Sequence, residues 1–134
     1  MHQAHAGRGS RVLLVDDDED VREVLSSALR LGGLCVSEAG DGAEALALFS
    51  KDPFDLVITD FEMPAMKGDE LVAKVRGLVP DQPIIMVSGN WEKPGNPPSK
   101  VNLCLDKPVQ LPELLTAVHF VLVKPSESVR EGRS

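Results

Sequence analysis

The sequence predicts an α/β protein, a doubly wound five-stranded parallel sheet with helices on both faces. Three observations predict it. Short apolar runs alternate along the chain with segments of helical periodicity, the pattern of strand–helix–strand units whose strands lie parallel. The chain has 134 residues, 43% of them apolar and 26% charged, enough for one ordinary domain with a real core and far from a disordered profile. Polar residues that bear chemistry recur just after the strands, where doubly wound sheets bind ligands.

Each element has its own signal. "RVLLV" (11–15) reads as a buried strand. Val21, Val24, Leu25, Ala28 and Leu29 then fall at i, i+3, i+4, i+7 and i+8, one face of a helix that Gly32 and Gly33 stop. "LCVSEA" (34–39) is a second strand, polar enough for a sheet edge. Asp41 with Glu44 resembles a capping box, with Asp in the Ser/Thr position, opening a helix through Phe49. Pro53 punctuates, and "DLVIT" (55–59) is the third strand. The loop "DFEMPAMKG" leads to a helix around 69–78. Pro80 and Pro83 bracket a turn before "PIIMVS" (83–88), the fourth strand. "VNLCL" (101–105) is a short fifth strand, and "LPELLTAVHFVLV" (111–123) is a last helix with Pro112 in its first turn. The expected organisation is a flexible extension over 1–10, a domain over 11–123 and a flexible tail over 124–134.

Charge and composition narrow the function. Lys plus Arg number 14 against 21 for Asp plus Glu, and a net charge of −7 argues against direct binding to nucleic acid or an anionic membrane. No apolar run approaches the roughly 20 residues needed to span a bilayer. "MHQAHAGRGS" lacks the apolar core of a signal peptide, so a cytoplasmic location is expected. Cys35 and Cys104 have no metal-type spacing and read as small buried residues. His2, His5 and His119 are scattered, with no metal or catalytic partner in view.

The strand ends carry the chemistry. Asp16 and Asp17 follow the first strand, Asp60 the third, Ser88 closes the fourth, and Lys107 with Pro108 follows the fifth. Three carboxylates on one sheet edge suit a hard divalent cation such as Mg²⁺, which takes one or two carboxylates and leaves the remaining positions to water or phosphate oxygens. Ser88 and Lys107 are the types that bind and neutralise phosphoryl oxygens. No Gly-rich loop follows the first strand, which speaks against a P-loop or dinucleotide site. Asp18, Glu19 and Asp20 complete a run of five carboxylates, but acidic side chains at a helix N-terminus complement its dipole and need no catalytic role. An EF-hand reading of Asp16-x-Asp18-x-Asp20 fails for want of the central Gly and distal Glu.

"VLLVDDDEDVREVL", "DLVITDFEMPAMKGDEL", "PIIMVSG" and "LDKPV", in this order after successive strands, resemble the receiver domain of two-component response regulators over roughly residues 11 to 123. The resemblance implies a flavodoxin-like receiver fold with strand order 2-1-3-4-5. That order puts the two cysteines on opposite sheet edges, too far apart for a disulfide. It implies Asp60 as phosphoacceptor, a carboxylate nucleophile forming an aspartyl phosphate. Mg²⁺ (or Mn²⁺) is then held by Asp17, Asp60 and the backbone carbonyl of Glu62, with Asp16 acting mainly through a metal-bound water. Ser88 follows the phosphoryl group as a switch. Lys107 pairs with Asp60 before reaction and with phosphoryl oxygens after it, across a Lys107–Pro108 bond that is commonly cis in the family. Glu62 and Asn90 stand where the phosphoryl lifetime is tuned. The implied partner is a histidine kinase or histidine phosphotransfer protein, with an output partner that the sequence does not name. With only about ten residues after the last helix, the chain is expected to be a stand-alone regulator or the receiver segment of a hybrid sensor kinase.

The sequence departs from the family in two places. Cys104, three residues before Lys107, replaces the Tyr or Phe that usually swings inward with the switch hydroxyl. "GNWEKPGNPPSK" (89–100) carries Pro94, Gly95, Pro97 and Pro98, incompatible with a regular helix, so the family's fourth helix is expected to be shortened or missing. Trp91 in this segment covers the site or packs locally, and Lys67, where an acid is common, reads as solvated. Two other classes compete. Asp60-x-Glu62 loosely echoes the nucleophile and acid of haloacid-dehalogenase-like phosphatases, which turn over through an aspartyl phosphate but usually carry a second Asp. A binding scaffold independent of phosphorylation would fit Cys104 and the broken helix, against the intact acidic set, Ser88 and Lys107.

Overall fold

The structure is a computed structural model that describes residues 9–89 and 101–132, from 124 onwards as backbone only. Its elements are β1 (Arg11–Val15), α1 (Glu19–Leu31), β2 (Cys35–Ala39), α2 (Gly42–Lys51), β3 (Leu56–Asp60), α3 (Gly68–Leu78), β4 (Ile84–Ser88), β5 (Leu103–Asp106) and α4 (Leu111–Gly132). The five strands form one sheet in the order β2-β1-β3-β4-β5, every neighbouring pair parallel.

The apolar runs set this order of burial. β3 and β4 are buried from end to end and β1 after its first residue, whereas the edge strands β2 and β5 are partly exposed. Side chains alternate between two layers, as the two-residue period of a strand requires. Val12 and Leu14 join Leu25, Leu29, Ile58, Ile85, Leu114 and Val118 beneath α1 and α4. Leu13 and Val15 join Phe49, Val57, Leu71, Val75, Ile84 and Met86 beneath α2 and α3. Full burial of each Leu or Ile side chain contributes about 1.5–3 kcal/mol, so the two layers hold the sheet between them.

The helix starts are locally encoded. Asp18 caps α1, its carboxylate accepting the N–H groups of Asp20 and Val21, while Glu19 and Asp20 sit in the first turn. Asp41 caps α2 by accepting the Glu44 N–H at 2.8 Å. The return bond of the capping box is shifted by one residue, because Glu44 accepts the N–H of Gly40 rather than that of Asp41. Between β3 and α3 the chain doubles back on itself. A Cβ on Gly68 would lie 2.6 Å from the Asp60 carbonyl oxygen, so only glycine allows this closure.

The structure adds detail to the expectations at three points and corrects them at a fourth, the burial of the cysteines. The tail expected to be loose from Lys124 is helical in backbone as far as Gly132; Pro125 withholds one N–H but holds a helical φ, which weakens a helix without having to end it. At the other end, Ser10 accepts the Cys35 N–H and the Gly9 N–H donates to Gly33, so the last two residues of the expected extension run beside β2. Val21 and Val24 are 40% and 54% exposed, because the buried face of α1 starts at Leu25 and the first turns overhang a cleft. Cys35, at the start of an edge strand, is exposed, and Cys104 is only half-buried. The cysteines do lie on opposite edges, on β2 and β5. The expected loss of the family's fourth helix falls mainly on 90–100, outside the described residues, as do Asn90, Trp91 and residues 1–8.

Candidate functional site

Strand register assembles the site. Val15 pairs with Thr59, Asp60 with Val87, and Ser88 with Asp106, so the ends of β1, β3, β4 and β5 step across one edge of the sheet. Asp16 leaves β1, Asp60 ends β3, Ser88 ends β4 and Lys107 leaves β5. All four converge there. Asp16, Asp60 and Ser88 are buried at 6%, 3% and 0% exposure, and burial of the two carboxylates in particular calls for partners.

Those partners are present. The Asp16 carboxylate accepts the Asp18 N–H at 2.9 Å. The Lys107 ammonium lies 2.8 Å from Asp60 Oδ1, which also accepts the Glu62 N–H at 3.3 Å. Asp16, Asp17 and Asp60 each offer a carboxylate oxygen, all within 4.8 Å of one another. Such an all-oxygen anionic set fits a hard divalent cation and suits neither a soft metal nor an organic cofactor. The Lys107–Pro108 bond is cis. A cleft of about 750 Å³ opens beside the cluster, its acidic end formed by Asp16, Asp17 and Asp60 and its apolar wall by Val21, Val24, Pro108 and Leu111.

Burial, and to a lesser degree charge crowding, shows in the proton affinities. Burial pushes the Asp60 carboxyl up to about 6, against the hydrogen bond and charge of Lys107, with Asp16 and Glu62 adding to the rise. Burial likewise raises Asp16, opposed by the Asp18 N–H and by Lys107. Lys107 pays for its own burial with a downward pull, but Asp60, Glu62 and Asp16 together hold its ammonium above the usual range. Glu62 is also pulled upwards by burial, yet the Ser88 hydroxyl and Lys107 bring its carboxylate below the ordinary value.

Two side chains near the site were not expected to make the contacts they make. Glu62, read from sequence for its backbone carbonyl and for lifetime tuning, accepts the Ser88 hydroxyl and lies 3.5 Å from Lys107. Arg22 donates to the Asp16 carbonyl at 2.7 Å and to Glu38 at 3.1 Å, and Arg30 also reaches Glu38 at 3.5 Å. The guanidinium thus fixes the backbone on which both acidic residues stand. Its signal was faint: Arg22 lies four residues after the cap Asp18, with its partner Glu38 near the end of β2. Cys104 is three residues from Lys107 but sits within β5, beside Met86, and does not line the cleft.

Residues 12–119 match the family model of the response regulator receiver domain. The chain belongs to that family. The response regulator receiver protein CpdR of Brucella abortus is 34% identical over 116 residues, covering 84% of this chain and 97% of that protein. DctD of Rhizobium meliloti, a C4-dicarboxylate transport transcriptional regulatory protein, is 42% identical over 83 residues; the match covers 62% of this chain and only 18% of DctD. The structure of the response regulator TrrA of Thermotoga maritima in complex with Mg(2+)-BeF superposes with a TM-score of 0.78 at 32% identity, covering 84% of this chain and 99% of that one. This receiver domain is therefore a phosphoacceptor module of two-component signalling. Among the described residues, no helix is long and apolar enough to cross a membrane.

Proposed function

We propose that this receiver domain takes a phosphoryl group from a phosphohistidine onto Asp60, in a reaction that depends on Mg²⁺ or Mn²⁺. One observation carries the reading: a buried carboxylate at a strand end is held 2.8 Å from a lysine and stands within 4.8 Å of two further carboxylates. Asp60 is the nucleophile. Its oxygen forms a bond to phosphorus as the donor's P–N bond breaks, and the electron pair stays on the imidazole nitrogen. Asp16, Asp17, Asp60 and the Glu62 carbonyl would hold the cation, which when bound supplies charge neutralisation for the phosphoryl oxygens. Lys107 moves from the Asp60 carboxylate to the phosphoryl oxygens, and the Ser88 hydroxyl follows them. That TrrA, a similar response regulator, was solved in complex with Mg(2+)-BeF supports a divalent cation as part of the reading.

The partner is a histidine kinase or a histidine phosphotransfer protein in the cytoplasm, and the domain acts as a signalling phosphoacceptor rather than an enzyme that turns over. Both a stand-alone regulator and the receiver segment of a hybrid sensor kinase fit this reading: the match covers 97% of CpdR but only 18% of DctD. Incubation with Mg²⁺ and phosphoramidate, followed by intact-mass measurement, tests the reading. The expected result is one acid-stable, base-labile phosphoryl group in wild type and none in Asp60→Asn. No addition to wild type, or an undiminished addition to the variant, would overturn it.

A further inference from the structure

Glu62 reaches the two groups that a phosphoryl group needs. Its carboxylate accepts the Ser88 hydroxyl and stands 3.5 Å from the Lys107 ammonium. Its own N–H is bound to Asp60 Oδ1 at 3.3 Å, so the side chain begins beside the acceptor and extends across it to β4 and the loop after β5. Ser88 is fully buried, whereas the Glu62 and Lys107 side chains are 39% and 36% exposed. The carboxylate can therefore swing out to water without disturbing the core.

We propose that the Glu62 carboxylate is an internal rival of the phosphoryl group, occupying Ser88 and Lys107 in the resting domain and having to release them before an aspartyl phosphate can settle. The inference rests on Asp60 being the acceptor and adds a residue that works against it. A half-exposed ion pair together with one hydrogen bond to a carboxylate is worth about tenfold in an equilibrium. A phosphoryl group brings nearly two negative charges and three strong acceptor oxygens. The phosphoryl group wins this contest, but at the cost of about tenfold in apparent affinity. Phosphorylation then does more than add a charge to Asp60. It expels a side chain from β4 and the loop after β5 into solvent, a change that a partner can read at a position where Cys104 provides no aromatic switch.

Simple repulsion between Glu62 and an incoming anion would also weaken binding, and the length of the side chain separates the two. Glu62→Asp keeps the charge but is one methylene shorter, so it cannot span Ser88 and Lys107 together; Glu62→Ala removes both charge and reach. Beryllofluoride, a phosphoryl mimic, is titrated by calorimetry into wild type and both variants at saturating Mg²⁺, with thermal melts to confirm folding. Both variants are expected to bind it about tenfold more tightly than wild type. Tightening in Glu62→Ala with wild-type affinity in Glu62→Asp would reduce the effect to charge and overturn the proposal, as would no tightening in either. Wild type that binds beryllofluoride while the variants do not tighten sinks the rival role alone. No binding in any of the three, with no phosphoryl uptake from phosphoramidate, would remove the acceptor reading and this inference with it.

Discussion

Asp16 and Asp17 differ from Asp18, Glu19 and Asp20 in almost everything except chemistry. The first pair stands where β1 surfaces, with Asp16 buried and Asp17 exposed, both within 4.8 Å of Asp60 across the sheet edge. The other three are exposed and belong to a helix start, with Asp18 accepting two N–H groups and Glu19 and Asp20 facing water in the first turn. Five consecutive carboxylates therefore divide by backbone direction. At a strand end they face partners from distant segments, while at a helix cap they satisfy donors within their own turn. The first arrangement concentrates charge for a cation, and the second disperses it against a dipole.

The comparison can be broken experimentally, beginning where the effect is largest. In chelator, without a divalent cation, Asp60→Asn is expected to stabilise the domain by about 2–3 kcal/mol at neutral pH, because the folded carboxyl titrates near 6 against an ordinary value of 3.8. A carboxyl whose folded value is raised favours folding while protonated, so its contribution is full below about pH 4 and is lost as pH rises through 6. The gain of Asp60→Asn over wild type should thus shrink towards zero as pH falls from 7 to 4. Chemical denaturation across that range would show it, and parallel pH curves for the two proteins would count against a strained carboxylate.

Asp17→Asn is expected to lower Mg²⁺ affinity by about tenfold or more while leaving stability in chelator unchanged, as measured by calorimetry and thermal melts. Asp18→Ala should do the reverse, costing about 1 kcal/mol of stability through the lost cap while Mg²⁺ affinity stays within about twofold. Exchange of these two phenotypes would erase the boundary drawn between Asp17 and Asp18. The smallest expected effect lies in the loop after β3, where Ala65 has a φ of 66°, a left-handed conformation that favours glycine. Ala65→Gly should raise stability by about 0.5–1 kcal/mol, visible as an upward shift in Tm, with no change in Mg²⁺ affinity.

Much of this was legible in the sequence, for identifiable reasons. β1, β3 and β4 are buried on both faces, so their residues must be apolar throughout, and the runs stand out. The common direction of the strands in a parallel sheet then brings Asp16, Asp60, Ser88 and Lys107 to one edge without further information. Contacts made by long side chains were not legible. Glu62 lies 26 residues from Ser88, and which acceptor a hydroxyl finds depends on how a loop folds rather than on any period. Arg22 satisfies a backbone carbonyl, a partner that has no residue type to read. The helical spacing of Val21 and Val24 with Leu25, Ala28 and Leu29 was correct as a period, but a period cannot say where a helix overhangs a cleft. Cys35 was misplaced because a small apolar residue at the start of an edge strand has nothing above it to pack against.

The most direct test of the central claim is chemical mapping of the acceptor. After reaction with phosphoramidate and Mg²⁺, borohydride reduces an aspartyl phosphate to homoserine, and peptide mass mapping locates the reduced residue. Homoserine at position 60, and at neither 16 nor 17, is the predicted result. Reduction at Asp16, Asp17 or Glu62, or no reduction anywhere in a protein that has taken up phosphate, would contradict it.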